Sequence, residues 1–524
     1  GCSPVYAALV LTEIIAEAKD SGEELYIALL DTSKAFDVVS HNSMLNAMHN
    51  QGIQGNLWQL YSDMYQGNQS VVKWQGEVSD PFPEGQGIKQ GGNSSTDSYK
   101  AGKNNLLDRL ESHTTNRMGS LLAGAAMVAD DLSISAKDTV HLQCDINTPQ
   151  RDASREGYKY NIDKTKIIAG NCKEPLKILL NSEPIGISTK ETHLGIIRNT
   201  QCNNIETVDD RVQSGRRAAY SLMNAGFHSL NGAGPEVALL QYNTYVIPTM
   251  LYGLEALVLS GAEVETIDKF HRKSLRFILH LPQSTAIPAI FLILGTLPIQ
   301  AQIDIRTLSL FRDVLAADSK SPPAIFLQEL IKRQLAVKDP DSSSWATYAA
   351  SKLRKYSLPT ALDVTQAPPK KKRWKRLVKA AVHAFWTLQL QQEAMEKETL
   401  QLLNITACNT VDIHPAWREL HCPLTIHQAT AKVKLLVQRY PLSTSHTAGQ
   451  KKSEVCPLCK VEPESVTHFL LHCDTLTPAR RPYLQKILES CRKHKVSMDL
   501  ESLVKIILDS NHLPEADKIG RAHV

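Results

Sequence analysis

"MVADDLSIS" (127–135) sets two acidic side chains, Asp130 and Asp131, between two apolar runs. Adjacent carboxylates repel, so either the pair sits in a solvated turn or a cation holds it. "GAAMVA" (124–129) and "LSIS" (132–135) read as two strands of a hairpin with the acids at its turn. Working outward, "SGEELYIALLD" (21–31) has a turn at Ser21-Gly22 and then a β-prone run that ends on Asp31. A carboxylate at the end of a buried strand projects into a cleft; the other reading is a helix-capping Asp before "SKAFDVV" (33–39). If the two segments are neighbours in one antiparallel sheet, Asp31, Asp130 and Asp131 converge as hard oxygen ligands suited to Mg²⁺. Two such ions, about 3.5–4 Å apart, form the clamp used for in-line phosphoryl and nucleotidyl transfer.

The 524 residues, 42% of them hydrophobic, suffice for two to four domains with apolar cores. Ten cysteines are spread widely and no secretory apolar region opens the chain, so a reducing compartment, nucleus or cytoplasm, is expected. A formal net charge of +4 announces no polyanion partner, and any nucleic-acid argument rests on where charge clusters. The strongest apolar run, "AIPAIFLILGTLPI" (286–299), is short for a membrane span and broken by Pro288 and Pro298, which suits a buried core segment; no membrane partner is expected. The chain begins at Gly1 and enters a helix at once, with Ser3 as cap, Pro4 in the first turn and Leu11, Ile14 and Ile15 on the apolar face, as the middle of a larger protein would. At the other end "KIGRAHV" (518–524) back-translates to a sequencing-adaptor read and is set aside as a non-native tail.

Five segments carry a family resemblance. "ALLDTSKAFDVV" (28–39), "GQGIKQGGNSST" (85–96), "VADDLSI" (128–134), "YNIDKTKI" (160–167) and "HLGIIR" (193–198) resemble, in order and spacing, the palm motifs of reverse transcriptases from non-LTR (LINE-type) retrotransposons. The resemblance implies an N-terminally truncated member, since the fingers motifs that precede the palm in this family are not in the sequence. It implies that Asp31 and Asp130 are the principal ligands of two Mg²⁺ ions, with Asp131 an auxiliary ligand or structural acid. Phe36 matches the ring under the incoming sugar that excludes a 2′-hydroxyl; otherwise it is a core Phe on a helix after the strand. Gln90, Gly91 and Gly92 match the loop that lies against the nascent base pair. Lys164, with Lys166 in reserve, matches the general acid for departing pyrophosphate, and Leu194-Gly195 the grip on the primer strand. Val128 stands where many members carry Tyr or Phe, and Asn93-Ser94 replaces a more apolar stretch.

From about residue 205 the pattern turns helical. "VETIDKFHRKSLRFILHLP" (264–282) places Ile267, Phe270, Ser274 and Ile278 on one face and Lys269, Arg272, Lys273 and Arg276 on another, four bases with no acid, which reads as a thumb helix along a duplex backbone or as a solvated face. "APPKKKRWKRLVKA" (367–380) reads as an exposed basic linker whose Trp374 stacks on a base, as a nuclear-localisation signal, or as a charged helix start. Cys456-x2-Cys459 and His468-x4-Cys473 supply three thiolates and an imidazole at spacings that close one structural Zn²⁺ site, with His472 a competitor for His468 and buried free cysteines the alternative.

The expected fold is α+β: a polymerase right-hand palm, an antiparallel sheet with helices, followed by a helical thumb and a small zinc-binding C-terminal domain. The expected division is 1–200 palm with partial fingers, 201–320 thumb, 321–440 helical connector with the basic linker, 441–517 zinc-knuckle region and 518–524 tail. The function implied is RNA-directed DNA polymerisation in target-primed reverse transcription, with RNA template, DNA primer or target and deoxynucleoside triphosphates as partners. The alternative is a catalytically inactive remnant that only binds nucleic acid.

Overall fold

The computed structural model describes residues 4–89, 91–114, 116–118, 121–122, 124–172, 177–228, 232–317, 322–337, 341–418, 420, 422–443, 455–493 and 495–513. Ser3 and the 518–524 tail lie outside them. Helix α1 (Pro4–Ser21) leads into strand β1 (Leu25–Leu30). β1 is the middle of a five-stranded sheet, flanked by β3 (Asp131–Ala136) and β4 (Lys166–Gly170), both antiparallel to it. The edges are β2 (Ala125–Val128), paired with β3, and β5 (Gly186–Ser188), which runs parallel to β4.

β1 is buried on both sides, and its alternation sorts the two cores. Leu25 and Ile27 face α1 and the later helices, while Tyr26, Ala28 and Leu30 join Leu132, Ile134, Leu142 and Ile146. "SKAFDVV" is not helical: the chain turns through 33–38, with Lys34 at φ 50°, and α2 (His41–Asn50) begins later. Asp31 therefore caps no helix. Helix α3 (Gly55–Tyr65) follows, then two small hairpins across residues 69–83. The sheet region is completed by α4 (Ser95–His113), α5 (Thr139–Glu156) and the hairpin β6 (Lys190–His193) to β7 (Ile196–Asn199).

Helices dominate from α6 (Ile205–Asn224), through α7 (Gly261–Ile278), α8 (Ile299–Leu315), α9 (Trp345–Lys355) and α10 (Lys371–Met395). The apolar run folds as a short helix, Ile287–Leu294, with Ala289 to Leu294 all at or below 1% exposure. No single described helix is long and apolar enough to cross a membrane; one bent pair, Ile287–Leu294 with Ile299–Leu315, passes on composition and length alone.

Two expectations are corrected here, the acid-free basic face of α7 and the exposed, stacking tryptophan of 367–380. On α7, Ile267, Phe270, Ser274 and Ile278 are buried as the spacing requires, but the basic face does have acids: Arg272 pairs with Glu265 at 2.6 Å and with Asp268, and Arg276 donates to the Thr285 carbonyl at 3.0 Å. Asp268 sits one turn before Arg272 and Glu265 two turns before it, on the same side of the helix. Only Lys269 and Lys273 stay exposed. In α10, Trp374 is 1% exposed and its Nε1–H donates to the Leu308 carbonyl at 2.9 Å. Trp374, Val378 and Val382 recur every fourth residue and pack on α8, so the segment is the charged start of a helix, and its tryptophan is not free to stack on a base.

α1 fastens this helical region to the sheet through three acids on consecutive turns. Asp20 accepts from the Ser343 N–H at 2.9 Å, Glu17 from Arg333 at 2.6 Å and Gln334 at 3.2 Å, and buried Glu13 from Ser344 Oγ at 2.9 Å and the Ala346 N–H at 3.2 Å. Burial raises the Glu13 carboxyl to about 7, against the pull of those hydrogen bonds. The folded state thus keeps a proton that the unfolded chain releases near the usual glutamate value, and the stability this proton carries is full below that value and lost as pH rises towards 7. Urea denaturation across that window is expected to give a falling stability, and Glu13→Gln is expected to flatten the slope.

Candidate functional site

The register of β1 against β3 sets Leu29 opposite Ser133 and Leu30 opposite Leu132. One step further places Asp31 beside Asp131. Asp130 occupies, with Ala129, the two-residue turn that joins Val128 to Asp131, and Ala129 takes the left-handed φ of 55° that such tight hairpins demand. The acids are thus at a hairpin turn and at the end of its neighbouring strand. Partial burial first, and then the charges of Asp130 and Asp31, raise the Asp131 carboxyl above its usual range. The three carboxylates feel one another.

The chain on the other flank fixes Asp31. Its carbonyl accepts the Asn161 N–H at 2.8 Å and its N–H donates to Thr165 Oγ1 at 3.3 Å. The same loop brings Lys164 Nζ to 3.8 Å from Asp31 Oδ2. Lys166, two residues on, is in β4 with its amine against Gly186 of β5, so Lys164 is the lysine that borders the acids. Three hard carboxylates with the Lys164 ammonium nearby have the donor chemistry that suits a divalent cation of the Mg²⁺ kind, and their oxygens are spread more widely than the 4.8 Å that encloses the ligand atoms of the C-terminal Cys/His group.

Phe36 is half-buried, and its ring stacks on Tyr99 of α4 at 5.1 Å between centroids and 22° between planes. Its carbonyl accepts the Ile88 N–H at 2.8 Å, and Val39 accepts the Gly87 N–H at 2.8 Å. Gly87 has φ 97°, and a Cβ there would stand 3.0 Å from the Asp37 carbonyl oxygen. This stitching ties the Phe36 turn to the loop that carries Gly91 and Gly92, which lies exposed before α4 with Gly91 at φ 81°. Gln90 lies outside the described residues. Leu194 and Gly195 form the β6–β7 turn at φ 52° and 78°, and a Cβ on Gly195 would meet the Tyr252 ring at 2.8 Å. That hairpin tip rests on the helical region.

Among the described residues, one group of possible metal ligands has all its ligand atoms within 4.8 Å of one another: Cys456, Cys459, His468 and Cys473. Cys456 Sγ and Cys473 Sγ are 3.9 Å apart, and Cys459 Sγ lies 3.3 Å from His468 Nε2. Backbone N–H groups of Glu462 and Val461 aim at Cys459 and lower its thiol to about 7, towards the thiolate a metal takes. His468 Nδ1 lies 2.9 Å from Glu462 Oε2. His472 is exposed and stays out of the group. Three sulfurs and one nitrogen fit zinc and leave no open position.

The family model described as "Reverse transcriptase (RNA-dependent DNA polymerase)" matches residues 4–197. Those residues are a reverse-transcriptase domain. The chain is 28% identical over 272 residues to a retrovirus-related Pol polyprotein from the type-2 retrotransposable element R2DM of Drosophila melanogaster, covering 49% of this chain and 24% of that protein. It is 26% identical over 293 residues to the Pol polyprotein of the type-1 element R2 of Nasonia vitripennis, covering 53% and 27%. Both relatives are Pol polyproteins of retrotransposable elements, and the chain spans about a quarter of their length. Among solved structures, apo telomerase from Candida tropicalis overlaps 71% of this chain and 56% of its own, at a TM-score of 0.31 and 13% identity.

Three residues of the reverse-transcriptase domain were not legible as site residues. Tyr99 reads as an ordinary core aromatic on α4, Thr165 as a strand polar, and Gly87 as one more turn glycine; each acts through a partner far off in sequence. Gly87→Ala is expected to lower stability by about 1–3 kcal/mol, since it strains both φ and the contact with Asp37. Gly85→Ala, where a Cβ meets nothing within 4 Å, is the control and should be close to neutral in the same urea titration.

Proposed function

We propose that the chain is the palm and helical portion of an RNA-directed DNA polymerase that performs target-primed reverse transcription for a non-LTR retrotransposon. The observation that carries this is the convergence of Asp31, Asp130 and Asp131 at the ends of neighbouring strands, beside Lys164. Asp31 and Asp130, with Asp131 next to them, would hold two Mg²⁺ ions, which when bound activate a primer 3′-hydroxyl and neutralise phosphate charge. In the reaction the 3′-oxygen bonds to the α-phosphorus of a deoxynucleotide, the α–β bridge breaks, and Lys164 gives a proton to the leaving pyrophosphate. Phe36, braced from behind by Tyr99, lies against the 2′ carbon of the incoming sugar and leaves no room for a hydroxyl. Gly91 and Gly92, with Gln90, let the backbone approach the new base pair, and Leu194-Gly195 lies along the primer.

A groove of about 350 Å³ between α6 and α7, lined by Arg216, Lys269 and Lys273 with Phe270 and Tyr220, supports a thumb that follows the template–primer backbone. A chromosomal primer places the protein in the nucleus after synthesis in the cytoplasm.

Cys456, Cys459, His468 and Cys473 would hold one structural Zn²⁺, and Glu462 accepting the His468 Nδ1–H would leave Nε2 for the metal. The module is docked: Phe469, Leu470 and Leu471 pack on the main helical core, and Glu464 accepts from the Ser443 N–H at 2.8 Å.

In the protein assayed for extension of poly(rA)/oligo(dT), Asp31→Asn or Asp130→Asn is expected to cut extension by orders of magnitude with template binding intact, and Asp131→Asn less. Retained extension would sink the ligand assignment, while binding without extension in the unmutated protein returns the chain to a binding remnant. In the same assay Phe36→Val is expected to raise the ribonucleotide-to-deoxynucleotide ratio of kcat/KM, a ratio from which losses of folded protein cancel.

For the metal, cobalt substitution should give the absorption of a mostly thiolate tetrahedral site at one ion per chain. His468→Ala should destroy that spectrum and His472→Ala should not. Glu462→Gln should weaken zinc about 10–100-fold in chelator competition.

A further inference from the structure

Helix α10 begins with a density of positive charge that nothing so far uses. Lys371, Lys372, Arg373, Lys375, Arg376 and Lys379 are all exposed within its first three turns. Lys371 pairs with Asp313 at 2.8 Å; among the described residues the other five meet no acid within ion-pair distance. At about 100° per residue, Lys372, Arg373, Arg376 and Lys379 spread over an arc of roughly 120° opposite the buried Trp374–Val378–Val382 stripe. From Lys372 to Lys379 the rise is about 10 Å. Stability does not account for this arrangement, because the N-terminal end of a helix disfavours cations.

We infer that this ridge docks the phosphate backbone of a nucleic acid by charge alone, independently of the palm and of the Cys/His module. Trp374 cannot add stacking, since it is buried with its N–H bonded to Leu308. A receptor that reads basic runs as extended peptide would have to unwind α10 and expose Trp374. A lipid surface would want an apolar face beside the charges, and α10 spends Trp374, Val378 and Val382 on α8, leaving Leu377 as the one large apolar side chain exposed among the described basic turns. Phosphates spaced along a strand need no more than a rigid, unpaired row of cations, and that is what α10 presents.

The test uses the full chain and a short fluorescent RNA–DNA hybrid duplex, with the association constant measured across salt. Neutralising the ridge by Lys372→Gln, Arg373→Gln, Arg376→Gln and Lys379→Gln together is expected to make the slope of log K against log salt shallower by roughly two to four, and to weaken binding at every salt concentration. A charge-preserving set, with Lys and Arg exchanged at the same four positions, should keep the original slope. Thermal melting should not fall in either, because none of the four has a partner to lose and neutralising cations near a helix N-terminus does not cost stability. An unchanged slope in the neutral variant overturns the inference, as does loss of binding to phosphatidylserine vesicles with duplex binding intact. Primer extension is not read, so a failure of the polymerase reading leaves this result standing.

Discussion

Three carboxylates stand side by side because β1 and β3 are hydrogen-bonded neighbours in the middle of the sheet. Like charges side by side oppose folding, and their repulsion adds to burial, the larger cause, in raising the Asp131 carboxyl. The sheet overcomes it by burying β1 on both faces, with Leu25 and Ile27 in one core and Tyr26, Ala28 and Leu30 in the other. Asp31 is also gripped on its backbone by Asn161 and Thr165, so it cannot swing away from the hairpin without breaking the β4 flank. Apolar burial of one strand thus holds the repelling groups in the place where a cation would find them.

The same strand organises the surroundings. The turn after Asp31 carries Phe36, whose carbonyl and ring are both held, one by Ile88 and the other by Tyr99. Through these contacts the glycine loop, α4 and the acidic hairpin form one unit. Behind the sheet, α1 offers Glu13, Glu17 and Asp20 to residues 333–346, so the helices beyond the palm are fastened to it by hydrogen bonds as well as by apolar packing. α10 itself is held against α8 by Trp374, Val378 and Val382, and the helix gives its cations a constant spacing. The Cys/His module is docked in a comparable way, through Phe469 to Leu471 and the Glu464–Ser443 contact.

The parts of the site that could be read in advance are those made by short-range chemistry. An acid pair between two β-prone runs is a hairpin turn whatever lies around it, and Cys-x2-Cys with His-x4-Cys is close enough in sequence to close on itself. Spacing leaves His472 as a competitor, the family resemblance favours His468, and the fold gathers His468. By contrast, the bases of α7 are opposed by acids on their own face, Asp268 one turn and Glu265 two turns before Arg272, and the fold shows the pairing that a count of bases passes over. "KKKRWKR" looked like a linker because its charge hid the fourfold spacing of Trp374, Val378 and Val382, and only α8 supplies the surface that buries them.

By itself, the sequence determined the motif order, the β-run ending on Asp31, the Asp130–Asp131 hairpin, the helical character after residue 205 and the membership of the Cys/His group. These follow from local propensity, turn chemistry and ligand spacing, which act over a few residues. Tertiary structure alone decided that Lys164 and not Lys166 borders Asp31, that Tyr99 stands behind Phe36, that Gly87 must be glycine, and that Trp374 is core while its neighbouring bases face solvent. Each of those depends on which surface a distant segment brings, and that is fixed by how the apolar faces of β1, α1, α8 and α10 pack together.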